Sequence, residues 1–296
     1  MKKIDDLYFV KFEQDNIIYS LDKIRLKTYV EPSVYNDLDF YLRCYYSKNV
    51  TKFWISDRIM QFHYNWKIDV EEGRSLYIGF RHNNETKDDY HGKFNLTIEF
   101  NPNKLKLHSL LIHILDLSGD WYIKSYDVAF DLKVNILDLI WDMSGRQIEK
   151  IDNRGYDDKT IYLGKEDGRI KIYNKKIESA LNIMGDLTRL EISRQVEDFR
   201  VADIKLFQYD SNFPQVYLKN YVYSLSDYKD KTLLALLYAV QNGFPLRDLT
   251  KTYRKKIKDL LEGGYKIKFS RKLVTDLVRQ IIFKYFVRAN AIQIFK

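Results

Sequence analysis

The sequence predicts an α+β fold in which helices pack on one face of a largely antiparallel sheet. Several segments alternate apolar and polar residues, which is the period of a strand with one buried face. Other segments repeat apolar residues at helical spacing. Along the chain these segments follow the order strands, helix, strand, helix, strands, which is typical of an α+β domain.

The first hundred residues predict mainly strands. Alternation predicts strands at 4–12, 52–56, 75–80 and 93–100. The polar stretch at 82–91 lies between the last two of these strands and predicts a hairpin loop.

The next part mixes helix and strand. Apolar residues with helical spacing predict a helix at 105–117, and alternation predicts a strong strand at 125–134. A short helix is predicted at 136–143, ended by Gly145.

Three more strands are predicted between Thr160 and Ser193, and one face of each carries polar side chains. Tyr162 lies on that face of the first strand and Tyr173 on that of the second, while Arg189 and Glu191 lie on that of the third. A sheet face with tyrosines, cations and a carboxylate suits chemistry on a phosphodiester.

After about residue 200 the pattern becomes helical. Helices are predicted at 232–242, at a following segment whose inner face includes Ile257 and which ends at Gly263, and at 270–286. We therefore divide the chain into an α+β part at 1–200 and a basic, mostly helical part at 201–296. Short helices with tight connections resemble a helix-turn-helix. The predicted DNA-contacting cations on the outer face of the second helix are Arg254, Lys255, Lys256 and Lys258.

Charge favours a nucleic-acid partner. The net charge is +8, and residues 231–296 hold 15 Lys/Arg against 4 Asp/Glu, so the rest of the chain is nearly neutral. A basic block on a balanced body is the electrostatic pattern of a nucleic-acid-binding protein. A solvated basic surface and contact with anionic membranes are the alternatives.

The single cysteine, Cys44, excludes an intramolecular disulfide framework and a cysteine-rich zinc site. The N-terminus lacks the apolar segment of a signal peptide. No apolar run approaches the roughly 20 residues that span a bilayer. We therefore expect a cytoplasmic protein without a membrane partner.

Two carboxylates share one face of the strand at 125–134. Asp127 and Asp131 are four residues apart, roughly 13 Å along an extended strand. Mg²⁺ or Mn²⁺, which take oxygen ligands, could neutralise these carboxylates. A basic neighbour such as Arg169, Lys171 or Arg189 would serve equally well, in a salt-bridge network.

Four short motifs in this order resemble the replication initiation factor family. They are Asp127-x-x-x-Asp131, Thr160-x-Tyr162-x-Gly164, Tyr173-x-Lys175 and Arg189-x-Glu191. This family comprises rolling-circle plasmid initiators of the staphylococcal type, related phage initiators and relaxases of conjugative elements. The resemblance covers about residues 120–195. It departs from the family pattern at Tyr126, where an arginine is usual, and at Lys165, where a serine is common.

The resemblance implies a nicking and joining fold in which Tyr173 attacks a DNA phosphodiester, leaving a 5′-phosphotyrosine and a free 3′-OH. Nearby cations have to stabilise the phenolate of such a nucleophile. Lys171 and Lys175 would supply this charge, with Lys171 also contacting DNA. Arg189 would hold the phosphate through its two-pronged guanidinium. A divalent ion, Mg²⁺ or Mn²⁺, would be bound by Asp127, Asp131 and Glu191.

Further expectations concern the partners and the rival functions. Glu178 could act as a fourth ligand or as a general base, and Tyr162 is a candidate second participant. The expected partners are origin DNA, single-stranded or as an extruded hairpin, a host helicase and a second copy of the chain. The alternatives to a replication initiator are a conjugative relaxase, a catalytically silent DNA-binding regulator, and an RNA- or membrane-binding structural protein.

Overall fold

The computed structural model shows an α+β protein with a large antiparallel sheet and six α-helices among the residues it describes. These residues are 8–46, 50–53, 64–71, 74–82, 92–142, 148–153, 159–164, 167–178, 185–219, 230–242, 244–262 and 266–294. None of the described helices is both long enough and apolar enough to cross a membrane.

The first strands and helices lie before residue 133. The strands are β1 Phe12–Gln14, β2 Ile17–Val30, β3 Val50–Phe53, β4 Tyr64–Glu71, β5 Arg74–His82, β6 Phe94–Phe100 and β7 Trp121–Leu132. The helices are α1 Pro32–Tyr46 and α2 Ser109–Leu115.

The remaining elements follow a 3₁₀ turn at Ile136–Asp138. The strands are β8 Leu139–Asp142, β9 Ile148–Asn153, β10 Lys159–Leu163, β11 Ile170–Asn174, β12 Thr188–Arg200 and β13 Gln215–Leu218. The helices are α3 Lys175–Glu178, α4 Lys231–Gln241, α5 Lys251–Glu262 and α6 Arg271–Ile294.

The chain forms two compact units whose boundaries interrupt the sequence order. Unit 1 comprises Met1–Phe130, Glu191–Tyr209 and Lys272–Lys296, and unit 2 comprises Asp131–Leu190 and Asp210–Arg271. These units follow spatial contacts. The division at 200/201, between an α+β nicking domain and a basic helical DNA-binding region, stays a prediction.

In unit 1 the strand order is β3-β4-β5-β6-β2-β7-β12, with β1 paired to β2. One face of this sheet is apolar and covered by helices. Tyr35 of α1 lies 5.3 Å from Trp66 and 5.6 Å from Phe80, ring centre to ring centre. On the same face Tyr285 of α6 lies 5.2 Å from Phe100. The predicted arrangement of helices on one face of an antiparallel sheet is therefore confirmed.

In unit 2 the strand order continues from the first residues of β12 to β11, β10 and β9. A separate two-stranded sheet is formed by β8 and β13. The helices α4 and α5 share an apolar core with this pair. Its fully buried members include Tyr217, Ile257 and Leu261. The predicted inner face of α5 is confirmed by the burial of Ile257 and Leu261.

Three of the predicted elements differ from the structure in their bounds. The first strand, predicted at 4–12, is observed at Phe12–Gln14; residues 8–11 are not in a strand, and 1–7 lie outside the described residues. The helix predicted at 105–117 spans only Ser109–Leu115. The helix predicted at 270–286 is observed as α6, Arg271–Ile294, and from residue 272 onward it lies in unit 1.

The short helix predicted at 136–143 is wrong beyond its first turn. Asn135 caps a single 3₁₀ turn by accepting a hydrogen bond from the Leu137 N–H at 2.9 Å. The chain then enters β8, which pairs with β13, more than 70 residues later in the sequence. This distant strand partner overrides the local helical spacing.

Candidate functional site

Tyr173 lies near the end of β11 in unit 2, where the strand passes directly into α3. The Asn174 side chain accepts a hydrogen bond from the Ile177 N–H at 3.2 Å, and Leu187 accepts one from the Lys175 N–H at 2.8 Å. These bonds fix the turn that follows the tyrosine. As a result Lys175 folds back toward the ring of Tyr173.

Two ammonium groups lie close to this ring. The Lys171 Nζ is 4.1 Å from the ring centre and the Lys175 Nζ is 5.6 Å from it. Lys175 also pairs with Glu178 at 2.7 Å. A cation at such a distance is attracted to the ring and would also stabilise a phenolate. The structure thus brings together Tyr173, Lys171 and Lys175, as the sequence predicts.

Tyr173 is only 3% exposed. Strand alternation predicts that it lies on an open polar face opposite Ile170 and Ile172, but all three residues are buried. Because Tyr173 as a whole is almost completely buried, we expect a side-chain rearrangement before it attacks a substrate.

The neighbouring strand β10 carries the other tyrosine of interest. In the β10–β11 ladder Tyr162 is opposite Lys171, and Thr160 is opposite Tyr173. Gly164, which ends the Thr160-x-Tyr162-x-Gly164 motif, has φ +72°, a left-handed value that glycine adopts at little cost. Tyr162 is half-buried and lies diagonal to Tyr173.

Asp131 and Arg189 form a buried ion pair in unit 2. The Arg189 Nε donates to Asp131 Oδ1 at 2.6 Å and Nη2 donates to Oδ2 at 2.6 Å. The Asp131 side chain is 0% exposed and the Arg189 side chain 3%. Both carboxylate oxygens thus already accept from one guanidinium. The sequence left two partners open for Asp131, a divalent ion or a basic neighbour. In the structure its partner is the basic neighbour Arg189.

The three predicted metal ligands are not gathered into one donor set. Asp127 belongs to unit 1, where its carboxylate is 2.9 Å from the Lys23 ammonium, and Glu191 is buried in the same unit. Asp131 belongs to unit 2 and is held by Arg189. Among the described residues no three His, Cys, Asp or Glu side chains come together in a way that could hold a metal ion. The residues present therefore do not fit the predicted divalent ion.

The four predicted DNA contacts on α5 differ in their surroundings. Arg254 donates three hydrogen bonds to the carbonyl oxygens of Leu246, Arg247 and Leu249. Lys256 lies 3.5 Å from Asp230, the residue that caps α4.

The ammonium group of Lys255 has no hydrogen-bond or ion-pair partner among the described residues. Lys258 is half-buried. Of the four, Lys255 is therefore the most available to a phosphate.

Sequence reasoning missed two features of this region. The partner of Asp127 is Lys23, about a hundred residues earlier, and no local pattern connects them. The hydrogen bonds from Arg254 to the carbonyls of the preceding turn were also missed. Its place in the first turn of α5, soon after Pro245, was a usable signal.

Comparisons with known proteins add little. No protein-family model matches the chain, and no curated protein does. One solved structure with some likeness is a rolling circle replication initiator protein from Geobacillus stearothermophilus. The two are 14% identical, and the alignment covers 86% of this chain and 99% of that one with a TM-score of 0.38. At this sequence identity and TM-score, the likeness assigns neither a function nor site residues to this chain.

Proposed function

We propose that the chain is a rolling-circle replication initiator that cuts and rejoins one DNA strand at an origin through Tyr173. The observation that carries the proposal is the convergence of Lys171 and Lys175 on the ring of Tyr173. A free phenol has a pKa of about 10 and attacks poorly near neutral pH. Two nearby cations would stabilise the negative charge on the Tyr173 oxygen during the attack.

The proposed step is a transesterification. The Tyr173 oxygen forms a bond to the phosphorus of the scissile phosphate while the bond from phosphorus to the 3′ oxygen breaks. The phenolic proton leaves the tyrosine, and the departing 3′ oxygen takes up a proton to become a hydroxyl. The products are a 5′-phosphotyrosine and a 3′-OH that can prime synthesis. Attack by a 3′-OH on the phosphotyrosine reverses the step and rejoins the strand.

The burial of Tyr173 sets a condition on this step. Lys171 lies against the ring, so a phosphate that binds Lys171 would lie beside Tyr173 once its ring turns outward. Lys175 is restrained by Glu178 and would stay in place. In this proposal Glu178 positions Lys175, whereas the notion that it is a ligand or general base has no support in these contacts.

Neither Arg189 nor a divalent ion has a step in this proposal. Arg189 could clamp a phosphate only if its pair with Asp131 opened or if the N–H groups that Asp131 does not use reached the DNA. No step is assigned to Mg²⁺ or Mn²⁺, because the predicted ligands are not assembled. The predicted host helicase and homodimer stay predictions.

A second candidate is a catalytically silent DNA-binding regulator. The burial of Tyr173 and the closed pair of Asp131 and Arg189 favour it. The basic helix α5 serves either function, since exposed lysines neutralise phosphates without regard to chemistry.

The test is incubation with labelled single strands tiled across the replicon that encodes the chain, with Mg²⁺ or Mn²⁺, followed by a denaturing gel. The proposal predicts a protein–DNA adduct for the wild type and for Tyr162→Phe, and none for Tyr173→Phe. An adduct that persists in Tyr173→Phe would move the nucleophile elsewhere. Binding of the same strands without any adduct would favour the silent regulator.

A further inference from the structure

A cavity of about 340 Å³, lined mostly by polar residues, lies on the face of the unit 1 sheet that carries Tyr77 and Glu99. Its walls come from β2, β4, β5, β6 and β7 and from the loop after β6, all within unit 1. Cavities that hold small ligands usually start at about 300 Å³. The space is therefore large enough for one mononucleotide-sized group.

The floor of the cavity is built by cross-strand neighbours. The strand register places Tyr77 directly between Lys67 and Glu99, and Glu99 directly opposite Arg25. Burial raises the pKa of Tyr77, so its hydroxyl stays protonated and donates to the side chain of Asn65.

Ion pairs hold the carboxylates of this floor in place. The Arg25 Nε donates to Glu99 Oε2 at 2.8 Å, and the Lys23 Nζ lies 2.9 Å from Asp127 Oδ2. Asn101 donates to Asp22 at 3.0 Å. The polar groups are thus held before any ligand arrives, which reduces the entropy lost on binding.

Two acceptor oxygens are left over. Glu99 Oε1 and Asp127 Oδ1 have no hydrogen-bond donor among the residues that the structure describes. An ionised carboxylate can accept several hydrogen bonds, so these oxygens favour a ligand that offers N–H groups.

Two cations on the cavity wall are also unused. The Lys104 ammonium pairs with no described residue, and the Lys67 ammonium reaches only Asp69, at 3.7 Å. Both residues are exposed. Each can approach an anionic group without breaking a close ion pair.

We infer that this cavity binds one unpaired guanine nucleotide of a DNA strand, its base facing Asp127 and Glu99 and its phosphate facing Lys67 and Lys104. Guanine suits this lining best because its Watson–Crick edge carries three N–H bonds, more than the edge of any other base. The inference rests on the proposed function only in taking a DNA strand as the partner. It adds a base-binding subsite in unit 1, apart from the residues around Tyr173.

The probe is a set of fluorescein-labelled T9 strands whose central base is dG, dA, dC or dT, titrated in EDTA so that free metal ions do not contribute to binding. Fluorescence anisotropy measures the affinity. The dG strand is expected to bind roughly 5- to 10-fold tighter than the all-T strand, the effect of about one good base contact. Ser75→Trp, which fills the cavity from an exposed position of β5, should abolish that preference. Ser109→Trp, at an exposed position of α2 outside the lining, should leave it unchanged.

A matched pair of lysines tests the phosphate side. Lys104→Ala should weaken binding of all four strands by a similar factor and lower the salt slope by about 1. Lys106→Ala, two residues away and outside the lining, is the control and should change neither.

Equal affinity for the four strands, or equal effects of the two tryptophan substitutions, would overturn the inference. Tyr173→Phe separates it from the proposed function, because this variant should keep the dG preference while losing the covalent adduct. A dG preference without any adduct in the wild type would sink the nicking proposal alone. An adduct without a base preference would sink the cavity proposal alone.

Discussion

The two polar regions of the molecule are assembled at very different distances along the chain. Around Tyr173 in unit 2 the cations come from Lys171 and Lys175, two residues to either side. In the unit 1 cavity Arg25 and Glu99 are 74 residues apart. A site made by one strand and the turn after it can be recognised in a sequence, whereas a site made by strand pairing cannot.

The regions also differ in burial. The pair of Asp131 and Arg189 in unit 2 is almost completely buried, while the pair of Arg25 and Glu99 in unit 1 is 39% and 25% exposed. Buried charges depend on their partners far more than solvated ones do. Ion pairs in the two units should therefore respond differently to substitution.

The largest effect is expected at the buried pair. Asp131→Ala leaves the Arg189 guanidinium buried without a counter-ion, which should lower the free energy of unfolding by roughly 3–5 kcal/mol. Replacing both partners, as Asp131→Leu with Arg189→Met, should restore most of that loss. Urea unfolding measures both. A double variant as unstable as Asp131→Ala would show that the loss comes from something other than the unpaired charge.

The next effect concerns rate. Lys171→Met removes the ammonium that lies 4.1 Å from the Tyr173 ring. A half-buried contact of this kind contributes about 1–2 kcal/mol, so adduct formation should slow by roughly 5- to 30-fold. Single-turnover gels measure the rate. Lys176→Met is the matched control, because the Lys176 ammonium donates to the Gly185 carbonyl at 3.1 Å and should leave the rate unchanged.

Two adjacent cations of α5 should affect different properties, Arg254 the stability of the protein and Lys255 its binding of DNA. Arg254→Ala loses three hydrogen bonds to carbonyls and should lower stability by about 1–2 kcal/mol. Lys255→Ala should keep stability within about 0.5 kcal/mol and reduce the salt slope of DNA binding by about 1. Thermal unfolding and anisotropy titrations test the two halves. A destabilised Lys255→Ala with unchanged DNA binding would reverse the assignment.

The smallest effect is expected at the half-exposed pair of unit 1. A double-mutant cycle on Arg25 and Glu99 should give a coupling below about 1 kcal/mol, because solvent screens both charges. The unfolding free energies of the two single variants and the double variant supply the cycle. A coupling as large as that at Asp131 and Arg189 would remove the contrast between the units.

Much of the fold could be predicted from the sequence. Alternation located β5, β6, β7, β10 and β11 because each is a strand with one apolar face. It failed for β8, because its partner β13 is distant and spatial neighbours leave no local periodicity.

The candidate site was predicted in part. The grouping of Tyr173 with Lys171 and Lys175 follows from strand period and the adjoining turn, so the sequence contained it. The burial of Tyr173 was not predictable, since it depends on the packing of neighbouring strands. The partner of Asp131 was not predictable either, because a metal ion and Arg189 can each neutralise the same carboxylate.

The most direct test of the central claim is the position of the covalent bond. After the adduct is formed, its DNA trimmed by nuclease and the protein cleaved by trypsin, Tyr173 lies in the peptide of residues 172–175 and Tyr162 in that of residues 160–165. Mass spectrometry should find the nucleotide mass on the peptide 172–175. A nucleotide on the peptide 160–165, or on any peptide without Tyr173, would contradict the account.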